Sequence, residues 1–172
     1  MRSSLVGSEM CIRDRSYPQI GAKEAYIDAF TMWLVRDPED LDVVVLPNMF
    51  GDIATDLASV LQGGMGMAAS ANLGDKHMMF EPVHGSSPKH AGKNRVNPIA
   101  MLSSLQLMLE NLSLRHDDPL LDKYGNILQQ AISQHLSSDG PKTYDIGGTG
   151  TTSEVGDAIA DRVRTLLKNE KA

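Results

Sequence analysis

The chain has little cysteine, few aromatic residues, no basic excess and no long apolar run. Its one cysteine, Cys11, has no partner for an internal disulfide, which excludes a disulfide-stapled secreted scaffold and fits a reducing, cytoplasmic setting. Aromatics are 5% of the residues, so aromatic platforms do not dominate the core; ten Met leave it to Met, Leu, Val and Ile. The net charge is -6 with a pI near 5.3, the wrong sign for a nucleic-acid binder. No stretch approaches the roughly 20 apolar residues that span a bilayer. A G-x-G-x-x-G dinucleotide fingerprint is also missing. What remains is a chain of 172 residues, 41% hydrophobic and 22% charged, enough for one soluble globular domain.

Residues 1–15, MRSSLVGSEMCIRDR, have neither helical nor strand period and no signal-peptide core. The string resembles a translated adaptor or vector leader rather than native protein; the plainer alternative is a flexible tail. It is set aside from fold reasoning, with Cys11.

From about Ala22 to Val35, the apolar residues Tyr26, Phe30, Trp33 and Leu34 predict a helix, closed by Asp37-Pro38. Leu41 to Leu46, with three consecutive valines, predicts a short buried strand. Pro47-Asn48 breaks it, and a helix is expected from Gly51 or Asp52 to about Leu61. Gly63-Gly64-Met65-Gly66 reads as a flexible turn. Met78 to Phe80 suits a short strand, and Glu81 to Asn97 a long functional loop. Pro98 and Asp118-Pro119 open two helices, to about Leu112 and Leu136. Tyr144 to Gly150 is a glycine-rich loop. Thr151 and Glu154 form a capping box before a last helix to about Lys168. The few short strands predict a small sheet.

Chemistry concentrates in three aspartates. Asp52 and Asp56 are four apart, which puts both on one helix face. Like charges at that spacing cost a few tenths of a kcal/mol, a cost that a hard divalent cation such as Mg²⁺ or Mn²⁺ converts into binding. The plainer reading is a pair of solvated aspartates, with Asp52 also favoured near a helix N-terminus.

Five ordered motifs decide between these readings: YIDAF (26–30), PNMFGDIATD (47–56), GGMGMAASANLGD (63–75), EPVHGSSPKHAGKNRVNP (81–98) and YDIGGTGTT (144–152). Together they resemble the β-decarboxylating dehydrogenases of the isocitrate and 3-isopropylmalate dehydrogenase family, over roughly residues 16–168. The resemblance implies an α/β, isopropylmalate-dehydrogenase-like two-domain fold, incomplete here. Residues 16–63 would end a small dimerising, metal-binding domain, and 64–172 would be the carboxy-terminal part of a large cofactor-binding domain. The family's serine- and arginine-rich substrate loop, catalytic tyrosine and catalytic lysine find no counterpart in this sequence; Lys23 is too close to Asp28 to be that lysine.

By the same resemblance Asp28, Asp52 and Asp56 match metal ligands, Asp28 reaching the site from the neighbouring subunit of a homodimer. His84, Gly85, Ser86, Ser87, Lys89, His90, Val96, Asn97, Tyr144 and Asp145 match cofactor-binding positions. Lys89-His90 and Tyr144 resemble NADP-dependent members, because an ammonium pairs with a 2′-phosphate where an aspartate repels it; Gly147 and Gly148 occupy the region where some of those enzymes carry a phosphate-binding arginine. Lys93 and Arg95 either assist that phosphate or, the simpler reading, face water, and His84 reads as a structural histidine orienting the loop. The implied reaction is oxidative decarboxylation of a 2-hydroxy acid bearing a β-carboxylate, with isocitrate and NADP placed first. Isopropylmalate or homoisocitrate with NAD, or tartrate or malate, are the alternatives. A regulatory subunit without catalysis is a further one, although such subunits tend to lose the aspartates. Neither nucleic acid nor membrane is an expected partner.

Overall fold

The computed structural model describes residues 16–169. The suspected leader and Cys11 lie outside them. The chain divides into two compact units between Val43 and Val44.

Helix α1 (Ile27–Arg36) is the one α-helix of the first unit's described elements, followed by a helical turn at Pro38–Asp40. It buries Phe30 and Leu34 and ends as expected, with Asp37 N–H on the Trp33 carbonyl at 2.8 Å. It starts five residues later than the predicted Ala22. Tyr26, the first residue of the stripe, is exposed and extended (ψ 144°), so nothing buried there offsets the cost of nucleating an earlier turn.

The predicted strand at Leu41–Leu46 does not form. Val43 and Val45 are 82% and 89% exposed. Three valines favour extended backbone, but a strand needs a neighbour to take its N–H and C=O groups. Among the described residues the only sheet is the hairpin β1 (Ala69–Leu73) and β2 (Met78–Pro82), paired antiparallel with Ala71 opposite Phe80. β2 confirms the strand expected at Met78.

In the second unit, helix α2 (Asn48–Ser59) begins three residues earlier than Gly51, because Pro47 supplies the extended residue from which the helix starts. Asp52 is therefore in the second turn, where the helix dipole helps it little. Helices α3 (Ile99–His116), α4 (Pro119–Leu136) and α5 (Thr152–Asn169) build the core. α3 packs on α4, α4 on α5, and the hairpin on α3. Buried Ile99, Leu128, Ala131, Ile132, Val155 and Ile159 interlock, with Met67, Leu102, Leu136, Val163 and Leu166 packed around them. α3 outruns its expected end at Leu112, because Asp117 adopts a left-handed conformation (φ 51°) that closes the last turn onto the Ser113 carbonyl. Asp118 caps α4, its carboxylate accepting from Leu120 N–H at 2.9 Å.

The capping box forms as predicted. Thr151 N–H and hydroxyl donate to Glu154 at 2.8 and 2.9 Å, and Glu154 N–H donates back to the Thr151 hydroxyl at 3.3 Å. The backbone bond, then the hydroxyl bond, hold the Glu154 carboxyl below the usual carboxylate range.

His135, on α4, is fully buried, and neither ring nitrogen makes a well-aligned hydrogen bond. Burial lowers its pKa; the Pro141 backbone opposes this, and Arg162 and Lys142 add to the lowering. A base depressed in the folded state binds more protons when unfolded, so stability must fall as pH drops below about 6.5 toward the folded value. We expect urea-unfolding free energy to decline over that window by at most about 1.4 kcal/mol per pH unit from this group. His135→Leu should flatten that part of the curve, and an unchanged slope in the variant would refute the assignment.

Candidate metal and cofactor sites

Asp52 and Asp56 lie on α2, one turn apart, and both are exposed. Neither has a lysine or arginine partner among the described residues. Asn48 Nδ2 donates to Asp52 Oδ2 at 3.1 Å, fixing one carboxylate rotamer while leaving its other oxygen available. Asp28 is exposed in the first turn of α1, its carboxylate accepting from Ala29 N–H at 2.8 Å. Among the described residues no three His, Cys, Asp or Glu side chains stand together as a metal cluster. The two carboxylates on α2 present oxygen atoms, the donor type that hard divalent cations prefer.

The residues expected to bind the cofactor fall in part into two connected groups. In the first, Ser87 and His90 belong to the loop after β2. The Ser87 hydroxyl is 2.8 Å from His90 Nδ1, and the Tyr144 hydroxyl is 3.4 Å from His90 Nε2. The His90 and Tyr144 rings are stacked, 5.8 Å between centroids and 18° from parallel. The Arg95 guanidinium lies 4.5 Å over the Tyr144 ring. Arg95 is exposed, as its reading as a solvated cation requires, but the contact with Tyr144 was not foreseen.

In the second group, buried Asn97 donates to Asp145 Oδ2 at 2.9 Å and accepts from Ile99 N–H at 3.0 Å, opening α3. Gly66 passes directly against this pair. A Cβ there would sit 2.6 Å from Asp145 Oδ2 and 3.1 Å from Asn97 Cβ. Its carbonyl accepts from Ala100 N–H at 3.0 Å. Sequence reading treated Gly66 as part of a flexible turn; the structure makes it the place where three motifs touch.

The remaining positions are not gathered. His84 Nδ1–H donates to the Gly85 carbonyl at 2.9 Å, as a loop-shaping histidine would. Gly85, Ser86 and Lys89 are exposed. Val96 contributes backbone: its carbonyl accepts from the Thr152 hydroxyl at 2.5 Å. Asn94, which had no assigned role, is in a left-handed conformation (φ 49°) and ties the loop to α5. Its carbonyl accepts from Thr152 N–H at 3.0 Å, and its side chain from Ser153 N–H at 3.1 Å. An asparagine two residues past Gly92 in a loop is the signal that could have found it.

The loop, its asparagine and the later tyrosine come from distant parts of one sequence pattern. The model of the family described as isocitrate/isopropylmalate dehydrogenase matches residues 4–159. The chain belongs to that family.

Among curated relatives, a 3-isopropylmalate dehydrogenase of Methanothermobacter thermautotrophicus is 42% identical over 144 residues, 84% of this chain and 41% of that protein. A homoisocitrate dehydrogenase of Methanocaldococcus jannaschii is 38% identical over 154 residues, 90% of this chain and 42% of that one. The solved structure of an isocitrate dehydrogenase from Methylococcus capsulatus superposes with a TM-score of 0.81 at 33% identity, covering 91% of this chain and 45% of that chain. The chain therefore spans about two-fifths of the length of these curated relatives. The fold is a partial α/β isocitrate/isopropylmalate dehydrogenase fold. Dehydrogenases of this family use a nicotinamide dinucleotide and a divalent metal. Among the described residues no helix is long and apolar enough to cross a membrane.

Proposed function

We propose that this chain supplies the metal-binding and part of the cofactor-binding machinery of a longer cytoplasmic enzyme. That enzyme oxidatively decarboxylates isocitrate to 2-oxoglutarate with NADP. Residues 16–63 would end its small, dimerising domain, and residues 64–172 would belong to its large domain. The observation that carries the reading is the pairing of Asp52 and Asp56 on one exposed side of α2, without a basic partner among the described residues, in a member of a metal-using dehydrogenase family.

Asp52 and Asp56 would hold Mg²⁺ or Mn²⁺, with Asp28 contributed by a second copy. Asn48 holds the Asp52 carboxylate in place for that task. The bound ion would supply Lewis acidity toward the substrate's hydroxyl oxygen and the charge left after loss of CO₂. The loop around His90 and Tyr144 would bind the adenosine end of the cofactor, and Asn97, buried and oriented by Asp145, would present its amide edge there. Lys89, exposed and without a carboxylate partner among the described residues, suits a 2′-phosphate.

Calorimetric titration of the chain with Mn²⁺ tests the metal reading. Asp52→Asn and Asp56→Asn should each weaken binding at least about tenfold, the loss of one charge-assisted ligand contact at some 1.5–3 kcal/mol. Equal Mn²⁺ affinity in wild type and the double variant would end it.

A second reading has its own support. The substrate named most often among the relatives is 3-isopropylmalate. A complete enzyme carrying this chain would then show the higher kcat/KM for 3-isopropylmalate with NAD, the reverse of the order expected for isocitrate with NADP.

A further inference from the structure

Arg95, Tyr144, His90 and Ser87 form a chain of contacts that the metal chemistry does not use. Its inner end is fixed by hydrogen bonds: Ser87 to His90 Nδ1 at 2.8 Å, and His90 Nε2 to the Tyr144 hydroxyl at 3.4 Å. The stacked His90 ring then sets the plane of the Tyr144 ring. Tyr144 is 42% exposed, and on it lies the Arg95 guanidinium, 4.5 Å from the ring centroid. An arginine on an aromatic face keeps its N–H edge free for a planar, two-pronged acceptor, at lower ordering cost than a free side chain. Phosphate monoesters and carboxylates are such acceptors.

The local charge selects between uses of that edge. No carboxylate within the described residues pairs with Lys89, Lys93 or Arg95. Asp145, next to Tyr144 in sequence, is engaged by Asn97. A cation cannot come from position 148, where any Cβ would overlap the Lys142 carbonyl. Among the described residues, Arg95 is the one guanidinium that lies on the Tyr144 ring.

We propose that Arg95, positioned by Tyr144 and His90, is a specificity-determining residue that recognises the 2′-phosphate of the cofactor's adenosine ribose. The assignment rests on the NADP reading above and adds the residue that carries it. Tyr144 and His90 act through Arg95 as positioning residues. Lys89, exposed and without an aromatic face to orient it among the described residues, adds charge rather than direction.

The test is calorimetric titration of the 172-residue chain with adenosine 2′-monophosphate, adenosine 5′-monophosphate and adenosine. Wild type should bind the 2′-monophosphate tightest. Arg95→Met should weaken that binding about tenfold, the usual worth of a charge-assisted contact, and leave adenosine unchanged. Arg95→Lys, which keeps the charge and loses the fork, should recover only part of it. Unchanged 2′-monophosphate affinity in Arg95→Met, with a loss in Lys89→Met, overturns the assignment to Arg95 and leaves the NADP reading standing. Wild-type affinity for the 2′-monophosphate no better than for the 5′-monophosphate or adenosine overturns both. Circular dichroism guards the comparison: a Met variant that has lost helix is replaced by Arg95→Gln, held to the same two outcomes.

Discussion

Gly148→Ala should destabilise the second unit by about 3 kcal/mol, read as a lower urea midpoint at unchanged m-value. The loop from Lys142 to Gly150 folds back tightly on itself. Gly148 N–H donates to the Thr143 carbonyl at 2.9 Å, and Gly150 N–H to the Lys142 carbonyl at 2.7 Å. A methyl at position 148 would overlap the Lys142 carbonyl carbon, oxygen and Cβ, so backbone rather than a flexible side chain would have to move. Thr143 is fully buried at the centre of this fold-back, which leaves little slack. Neighbouring Gly147 makes the internal control. It sits at φ 82° but has open space around its missing Cβ, so Gly147→Ala meets conformational strain alone, about 1 kcal/mol. If the two variants proved equally stable, the close approach at Gly148 would be wrong. Because the same loop carries Tyr144, Gly148→Ala should also weaken nucleotide binding, and Gly147→Ala much less.

Ile159→Ala should cost about 2–5 kcal/mol, the range for emptying a packed core site. Ile159 is 1% exposed and stands on α5 among Ile99, Leu128, Ala131, Ile132 and Val155. Those residues belong to three different helices, so no single one can collapse into the gap without shifting its own contacts. Denaturant unfolding followed by helix signal reads the effect. A loss under 1 kcal/mol would mean that α5 is not packed on α3 and α4 as described. The consequence reaches the loops, because α5 holds Asn94 and Val96 through Thr152 and Ser153.

Much of this was legible in the sequence where the signal is local. Asp118, Pro119 and the Thr151–Glu154 box mark helix starts, because a cap needs only neighbours within a turn. The later start of α1 and the absent strand at Leu41–Leu46 were not legible. Both depend on groups far along the chain: a buried contact for the first turn, a partner for the valine backbone. The candidate site divides in the same way. The i, i+4 aspartates could be read directly, while the meeting of Gly66 with Asn97 and Asp145, and of Arg95 with Tyr144, is set by tertiary packing. A glycine in a Gly-rich turn carries no mark that separates flexibility from close approach.

That meeting at Gly66 also sets an order of events in folding. Asn97 bonds Met67 across 30 positions and Asp145 across 48. The α3–α4 hairpin needs only the short link from Asp117 to Asp118 to close. Loop-closure entropy rises with such separations, so the helices can assemble before the loops around Asn97 and Asp145 are pinned. The Asn97–Asp145 contact is then a late one. Weakening it should leave folding speed nearly unchanged and hasten unfolding. The loops that carry Gly66, Asn97 and Asp145 are then the last part of the unit to order and the first to come undone.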